Sequence, residues 1–333
     1  MLGQMARSDL LKQIFATYSR GDHAAFRTAA EEIIQDERRK RHSLLADELA
    51  GLLEHSEAPR PLNVSTLQPL PMGRDEVPLV HVRTPARTLD DAVLRRGSRA
   101  VVEEFVREFR SASVLHAHGL RPRSRALFVG PSGTGKTLTA EALAGELGFP
   151  LVVIDVATVV SSYLGETSRN LAAIFDFCSR GSWVVLFDEF DALAKERADS
   201  SEHGELKRVV TAFLQLLDEF HGRSLILAAT NHPDLMDDAV WRRFDEVLAF
   251  TLPTQHEIEL LIKMKLRSTR HRVPLRESAK AMKGFSHAEV EITCLDALRR
   301  SVLGGDGVVS DDDLAQATAR MEERRRTIRS ARR

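Results

Sequence analysis

Hydrophobic and polar positions change their period along the chain, and the longest uniform pattern lies between residues 88 and 252. There, short apolar runs rich in branched side chains alternate with stretches of helical period. The runs cover residues 126–129, 151–155, 183–188, 225–230 and 247–250. Apolar strands that alternate with helices are typical of a parallel sheet with right-handed crossovers. The pattern predicts an α/β domain over 88–252, with a parallel five-stranded sheet and helices on both faces.

The segments on either side of this domain have other patterns. Residues 1–56 contain three short amphipathic stretches, and their shared core is too small to imply an enzyme. We expect a short helical bundle there that docks a partner or supports oligomerisation. Six of the twelve prolines lie in residues 57–87, which predicts an extended linker without regular structure.

After Pro253 only helical periods remain, so residues 253–326 are predicted to form a small all-helical domain. Residues 327–333 are predicted to form a basic tail. Residues 320–333 contain seven arginines and two acids, which could contact nucleic acid or an acidic partner. Because aromatic residues do not alternate with these arginines, a solvated helix end with a frayed basic tail is the favoured interpretation.

Composition restricts the classes of protein that need be considered. The formal net charge of the 333 residues is −1, which disfavours nucleic acid as a general partner. The two cysteines lie in apolar segments, so a disulfide framework is not expected. Neither a signal-peptide pattern nor an apolar run near 20 residues occurs. We therefore expect a cytoplasmic protein without a membrane segment.

The strongest chemical signal is a glycine-rich phosphate loop, here called the P-loop, at residues 130–137. It comprises Gly130, Pro131, Ser132, Gly133, Thr134, Gly135, Lys136 and Thr137, and it lies between a predicted strand and a predicted helix. Such a loop directs backbone N–H groups at phosphate oxygens. Lys136 is expected to contact the β- and γ-phosphates, and Thr137 to offer its hydroxyl to Mg²⁺. The sequence thus predicts ATP and Mg²⁺ as ligands.

Two later strands end in polar residues that can complete this site. Asp188 and Glu189 follow four apolar residues, and Asn231 follows another strand. We expect Asp188 to help hold Mg²⁺ and Glu189 to polarise the attacking water. Asn231 is placed to contact the γ-phosphate and that water. From the residues alone, surface salt bridges explain the adjacent Arg242 and Arg243 as well as a role in catalysis does.

Taken in order, the motifs GPSGTGKT, VVLFDEFDAL, AATN and DDAVWRRFD resemble those of AAA ATPases over about residues 88–303. The paired arginines resemble the branch that contains katanin and spastin. The resemblance implies that Arg242 and Arg243 are arginine fingers that reach the nucleotide of a neighbouring subunit in a hexamer. It also implies that Asn231 is a sensor residue and that the C-terminal helices form a lid.

The resemblance further suggests what the enzyme acts on. Tyr163, Leu164 and Gly165 match an aromatic–aliphatic–glycine pore loop that grips a polypeptide in the family; local packing of Tyr163 is the alternative. We therefore expect protein unfolding or threading, with a separate protease, of the subtilisin type or another, as a candidate partner. Two alternatives stay open: a nucleic-acid loader or mobile-element helper, and an ATP-dependent assembly switch that threads nothing.

Two departures from the family pattern concern the lid. His287 stands where the family has glycine, and Glu289 stands where it has aspartate. Residues 89–94 match poorly the segment that lies beside the adenine in the family. The residues that contact the base are therefore left unassigned. No HExxH sequence occurs, so any proteolysis is expected from a separate partner.

Overall fold

The structure, a computed structural model, describes residues 28–30, 32–35, 68–73, 76–160, 164–192, 203–305 and 307–331. The chain divides into two compact units, residues 1–61 and 62–333. In the first unit, residues 28–30 and 32–35 are helical, and Ala29 and Ile34 are buried. The rest of the predicted bundle lies outside the described residues.

The second unit is built on a central sheet. Its strands are β1 (His81–Arg83), β2 (Arg125–Val129), β3 (Leu151–Asp155), β4 (Val184–Asp188), β5 (Leu225–Thr230) and β6 (Glu246–Ala249). The helices around it are α1 (Arg96–Arg110), α2 (Ala112–Ala117), α3 (Lys136–Leu147), α4 (Val156–Val159), α5 (Leu164–Ser179), α6 (His203–Glu219) and α7 (Asp238–Trp241). Short 3-10 helices occupy Leu89–Asp91 and Pro233–Leu235.

The sheet has the order β1-β3-β4-β5-β2-β6, and strands β2 to β6 are mutually parallel. This confirms the α/β fold class. Apolar clusters cover both faces: one contains Val185 and Phe213, and the other contains Leu143 and Leu186. Burial on both faces explains why β4 and β5 read as continuous apolar runs rather than as alternating ones.

The five predicted parallel strands are present as β2 to β6, and β1 adds a sixth strand, which was not predicted, at the side of the sheet next to β3. It pairs antiparallel with β3, with Val82 opposite Val152. Just before it, Leu79 and Val80 are buried against the sheet, and the side chain of Gln68 donates a hydrogen bond to the carbonyl of Phe177. The expectation of a linker without regular structure was therefore wrong for residues 81–83. A three-residue strand between prolines is too short to show a period.

The last part of the unit is here called the C-terminal subdomain. It contains α8 (Gln255–Lys265), α9 (Leu275–Ala281), α10 (His287–Gly304) and α11 (Asp311–Ala331) around their own apolar core. It also contains β7 (Arg270–Arg272) and β8 (Val308–Ser310), which pair in parallel. The expectation of an all-helical domain was wrong in this respect, since each strand has only three residues and carries no detectable alternation.

Helix α11 stays helical through Ala331, so the predicted basic tail is helical over residues 327–331, and residues 332–333 lie outside the described residues. Its side chains from residue 326 onward are exposed. Arg325 connects the helix to the rest of the subdomain, since its guanidinium lies 4.9 Å from the ring centroid of Phe285. No helix in the described ranges is both long enough and apolar enough to cross a bilayer.

Candidate nucleotide-binding site

The sheet order brings the predicted phosphate-site segments together. The P-loop follows β2, Asp188 ends β4, and Asn231 follows β5, which lies between those two strands. Because the strands are parallel, all three segments lie at the same edge of the sheet. The sequence had predicted the strands separately, and the order β4-β5-β2 makes their ends neighbours.

The P-loop fits closely between strand ends. Gly130 has φ +145°, and a Cβ on it would lie 1.9 Å from the carbonyl oxygen of Phe250. Only glycine fits this close approach of two backbones. The hydroxyl of Thr134 donates a hydrogen bond to the carbonyl of Pro131 over 2.7 Å and holds the loop closed on itself. Helix α3 begins directly after Gly135, so its N-terminal N–H groups face the loop.

Lys136 is 7% exposed and uses its ammonium group inside the loop. Nζ donates hydrogen bonds to the carbonyls of Gly130 and Pro131, over 2.7 and 3.0 Å, and to Oδ1 of Asn231 over 2.8 Å. Burial lowers the pKa of Lys136, and the carboxylates of Asp188 and Asp191 oppose that shift. The lysine is thus fixed beside the position where phosphates are expected.

Oxygen ligands lie next to this lysine. The hydroxyl of Thr137 donates a hydrogen bond to Oδ2 of Asp188 over 3.0 Å, so a hydroxyl and a carboxylate oxygen lie side by side. Hard oxygen donors of this kind are those that Mg²⁺ prefers. The backbone N–H of Glu189 donates to Oδ1 of Asp188, and Glu189 has φ +51°, which is uncommon for a residue other than glycine. The residues present therefore fit a magnesium ion held between phosphate and protein.

A further carboxylate joins β4 to β5 beneath the site. Asp191 is 1% exposed, and its Oδ1 accepts hydrogen bonds from the hydroxyl of Thr230 and the backbone N–H of Asn231, over 3.3 and 3.2 Å. The sequence analysis did not assign this residue. Its position as the last acid of the DEFD stretch was the available signal.

The cavity at this edge has a volume of about 340 Å³, within the range of small-molecule sites. The P-loop, Asp188, Glu189 and Asn231 line one side. The remaining lining includes His287, already singled out as a departure from the family pattern, and residues that sequence reasoning left unassigned: Asp91, Ala92, Val93, Leu94, Leu261, Met264, Lys265, Ala288 and Glu291. They come from distant parts of the chain, so no local pattern marks them as one wall.

The C-terminal subdomain contacts the P-loop directly. The backbone N–H of Ala288 donates a hydrogen bond to the carbonyl of Gly133 over 3.0 Å, and a Cβ on Gly133 would lie 2.9 Å from the hydroxyl of Ser286. Glu289 forms a capping box with Ser286 and an ion pair of 3.2 Å with Arg325. The longer acid at position 289 therefore ties the start of α10 to α11.

His287, the other departure, lines the same cavity. Its Nδ1 is buried and forms no hydrogen bond within the described part of the chain. Burial lowers the pKa of His287, and the nearby carboxylate of Glu257 opposes the shift. The imidazole is therefore held in a place that favours its neutral form.

The two predicted finger residues lie elsewhere. Arg242 caps the C-terminal end of α7, and both Arg242 and Arg243 are exposed and do not line the cavity. Nε of Arg243 donates to Oδ2 of Asp218 over 2.7 Å. For Arg242, the described residues provide no ion pair.

The predicted pore segment is only partly described. Tyr163 lies outside the described residues, while Leu164 and Gly165 form the start of α5 with only their backbone described. The segment follows β3 and α4, on a connection that leaves the same edge of the sheet as the P-loop.

Comparison with known proteins agrees with this arrangement. Residues 126–252 match the family described as "ATPase family associated with various cellular activities (AAA)". The chain is 39% identical over 330 residues to "Uncharacterized AAA family ATPase y4kL" of Sinorhizobium fredii, covering 98% of each protein. It is 30% identical to "ATP-dependent zinc metalloprotease FtsH 3" of Sphaerobacter thermophilus, with 72% of this chain matching 50% of that protein.

A solved structure gives the same result for the fold. The AAA domain of FIGL-1 superposes with a TM-score of 0.58 at 25% identity, covering 72% of this chain and 85% of that one. This likeness gives loose support to the katanin and spastin branch. The match to y4kL over nearly the whole length, together with the matched family region, decides the assignment. The chain belongs to the AAA family of ATPases and is an ATP-hydrolysing enzyme.

Proposed function

We propose that this enzyme couples ATP hydrolysis to the remodelling of protein substrates, working as a hexameric ring whose active sites lie between subunits. Members of its family usually form oligomeric rings and act on proteins. The finer features proposed here are the hexamer, the shared active site and the passage of a polypeptide through the ring.

The position of the arginines carries this proposal. Among the described residues that line the cavity, the only arginine is Arg87, and its guanidinium binds Glu141 over 2.9 Å. Arg242 and Arg243 lie outside the cavity on an exposed end of α7. An arginine that stabilises the charge developing on the γ-phosphate contributes about 10³–10⁵ in rate. We infer that Arg242 and Arg243 provide this stabilising positive charge at the cavity of a neighbouring subunit.

The geometry of one subunit supports the other roles that we propose. N–H groups of the P-loop and the ammonium of Lys136 bind and orient the phosphates. Glu189, next to Asp188 at the end of β4, accepts a proton from the attacking water, while Asn231 orients that water and contacts the γ-phosphate. Thr137 and Asp188 would hold Mg²⁺, which neutralises phosphate charge when bound.

The substrate side of the proposal rests on residues 163–165. This segment follows β3 and α4 and includes the start of α5, so it lies on a connection that leaves the sheet at the carboxyl ends of its strands, as the P-loop does. The ring of Tyr163, which lies outside the described residues, would give apolar contact that tolerates varied sequences. FtsH 3 is by name an ATP-dependent protease, which supports a link to proteolysis through a separate protease. We place the enzyme in the cytoplasm, supported by its two free and buried cysteines.

The test uses an unfolded, carboxymethylated polypeptide as the probe. We expect it to raise the ATPase rate of the wild type and of Tyr163→Phe, which keeps the aromatic ring. In Tyr163→Ala the stimulation should disappear while the basal rate remains. Undiminished stimulation of Tyr163→Ala would reject threading and leave the assembly switch, whereas strong, salt-sensitive stimulation by DNA would favour a nucleic-acid partner.

A further inference from the structure

The turn after β4 is bonded to the end of β5 by both backbone and side chain. The backbone N–H of Phe190 donates to the carbonyl of Ala229 over 2.9 Å, and that of Ala192 donates back to the carbonyl of Glu189 over 2.8 Å. These bonds fix the turn that begins with Glu189. The side chain that reaches from the turn to β5 belongs to Asp191.

Asp191 is a buried charge whose partners explain its position. A carboxylate that is 1% exposed is costly unless hydrogen bonds stabilise it. Here it accepts from the backbone N–H of Asn231 and from the hydroxyl of Thr230, which in turn accepts from the backbone N–H of His232 over 3.0 Å. The backbone on both sides of Asn231 is thereby fixed.

The same carboxylate acts on the phosphate-binding lysine. The side chain of Asn231 accepts a hydrogen bond from Nζ of Lys136, and its backbone N–H donates one to Asp191. Asn231 therefore links the carboxylate of Asp191 to the ammonium group. Its negative charge also favours the protonated form of Lys136, against the effect of burial. A hydrogen-bonded network therefore runs from Lys136 through Asn231 to Asp191.

We propose that Asp191 is a positioning residue that fixes Asn231 in the arrangement needed for hydrolysis. The inference rests on the role proposed above for Asn231. Asp191 does not line the cavity, and its hydrogen bond reaches the site through the backbone N–H of Asn231. Its loss should therefore lower kcat and leave ATP affinity nearly unchanged.

A double-mutant cycle on the full chain tests this. The kcat and KM for ATP, and the Kd of a fluorescent ATP analogue, are measured for Asp191→Ala, Asn231→Ala and the double variant. We expect each single variant to lose about 10²-fold in kcat, as for the loss of one preorganised polar contact. The double variant should be no slower than Asn231→Ala, because residues that act as a unit are not additive. The Kd of Asp191→Ala should stay within about threefold of the wild type, since Asp191 does not line the cavity.

Two further variants keep the test decisive. Asp191→Asn retains an acceptor oxygen and should lose only about threefold to tenfold in kcat, because a neutral acceptor forms a weaker bond. If Asp191→Ala does not fold, the cycle is run with Asp191→Asn, whose loss of kcat should vanish in the Asn231→Ala background.

Asp313→Ala is the matched control. The carboxylate of Asp313 also accepts a hydrogen bond from a backbone N–H, that of Ser310 over 2.9 Å, but it lies in the C-terminal subdomain away from the cavity. The kcat of Asp313→Ala should equal that of the wild type.

Three results would overturn the proposal. A double variant about 10⁴-fold slower than the wild type would show that Asp191 acts independently of Asn231. A Kd weakened as much as kcat would make Asp191 a structural support of the phosphate site. A fully active Asn231→Ala would remove the role of Asn231 itself, so the site roles proposed earlier would fall together with this inference.

Discussion

Nζ of Lys136 donates a hydrogen bond to Oδ1 of Asn231 over 2.8 Å, so the P-loop lysine and the end of β5 are joined directly. Replacing either residue should nevertheless affect a different step: ATP binding for Lys136 and hydrolysis for Asn231. Lys136→Met should weaken ATP binding by about 10²-fold, because charge-assisted bonds to phosphate are lost. Asn231→Ala should weaken ATP binding by less than about tenfold, because its amide is uncharged, and should mainly lower kcat. Binding of a fluorescent ATP analogue and single-turnover rates separate the two effects; equal weakening of binding in both variants would contradict them.

Gly145 in α3 is expected to be intolerant of any side chain. A Cβ there would lie 2.0 Å from the carbonyl oxygen of Arg87, which is backbone and cannot turn aside. Gly145→Ala should therefore destabilise the unit by about 1–3 kcal/mol. It should also weaken ATP binding, since the segment after Arg87 leads to the cavity wall at Asp91.

Gly97 in α1 provides the matched control, because a Cβ there meets nothing within 4 Å. Gly97→Ala should stabilise the protein by about 0.5–1 kcal/mol, the usual gain in a helix. Urea unfolding measures both free energies. If Gly145→Ala leaves the free energy of unfolding unchanged, the segment around Arg87 does not pack on α3 as described.

The docking of residues 76–83 onto the sheet can be tested with two valines. Val80 is 1% exposed, whereas Val77 is 60% exposed. Val80→Ala should lower the free energy of unfolding by about 2 kcal/mol through lost burial and a residual cavity. Val77→Ala should change it by less than about 0.5 kcal/mol. Urea unfolding, monitored by tryptophan fluorescence, measures both changes. If the two variants lower the free energy of unfolding equally, this segment is not part of the core.

His287 should make stability depend on pH. Its pKa in the folded protein is lowered by burial below the ordinary value of 6.5, so the unfolded chain binds the proton more strongly. Stability should therefore fall as the pH is lowered through 6.5 and level off below the depressed folded pKa. The melting temperature of His287→Gln should drop less between pH 7.5 and pH 5.5 than that of the wild type. Identical drops would show that His287 does not titrate between the folded and unfolded states.

Sequence reasoning was most effective where one segment contains its own signal. The P-loop between a strand and a helix, and Asp188 after four apolar residues, needed only local pattern. They predicted the fold class, which the structure confirms, and a phosphate site whose residues lie together at the ends of β2 and β4. Sequence reasoning failed where partners come from distant segments, as for Lys265 and Glu291 in the cavity wall. It also failed for β1, β7 and β8, because three-residue strands depend on the neighbour with which they pair and carry no period of their own.

The central claim is that one subunit completes the active site of the next, and mixing two inactive variants tests it most directly. One variant carries Arg242→Ala and Arg243→Ala, and the other carries Glu189→Gln. Each alone should hydrolyse ATP at least about 10²-fold more slowly than the wild type.

In an equimolar mixture, an intact cavity from the first variant can meet intact arginines from the second. The ATPase rate per subunit should then recover to about one quarter of the wild-type rate if subunits assemble at random through head-to-tail interfaces. A mixture that stays as inactive as its components, or an arginine variant that keeps the wild-type rate, would contradict the shared active site.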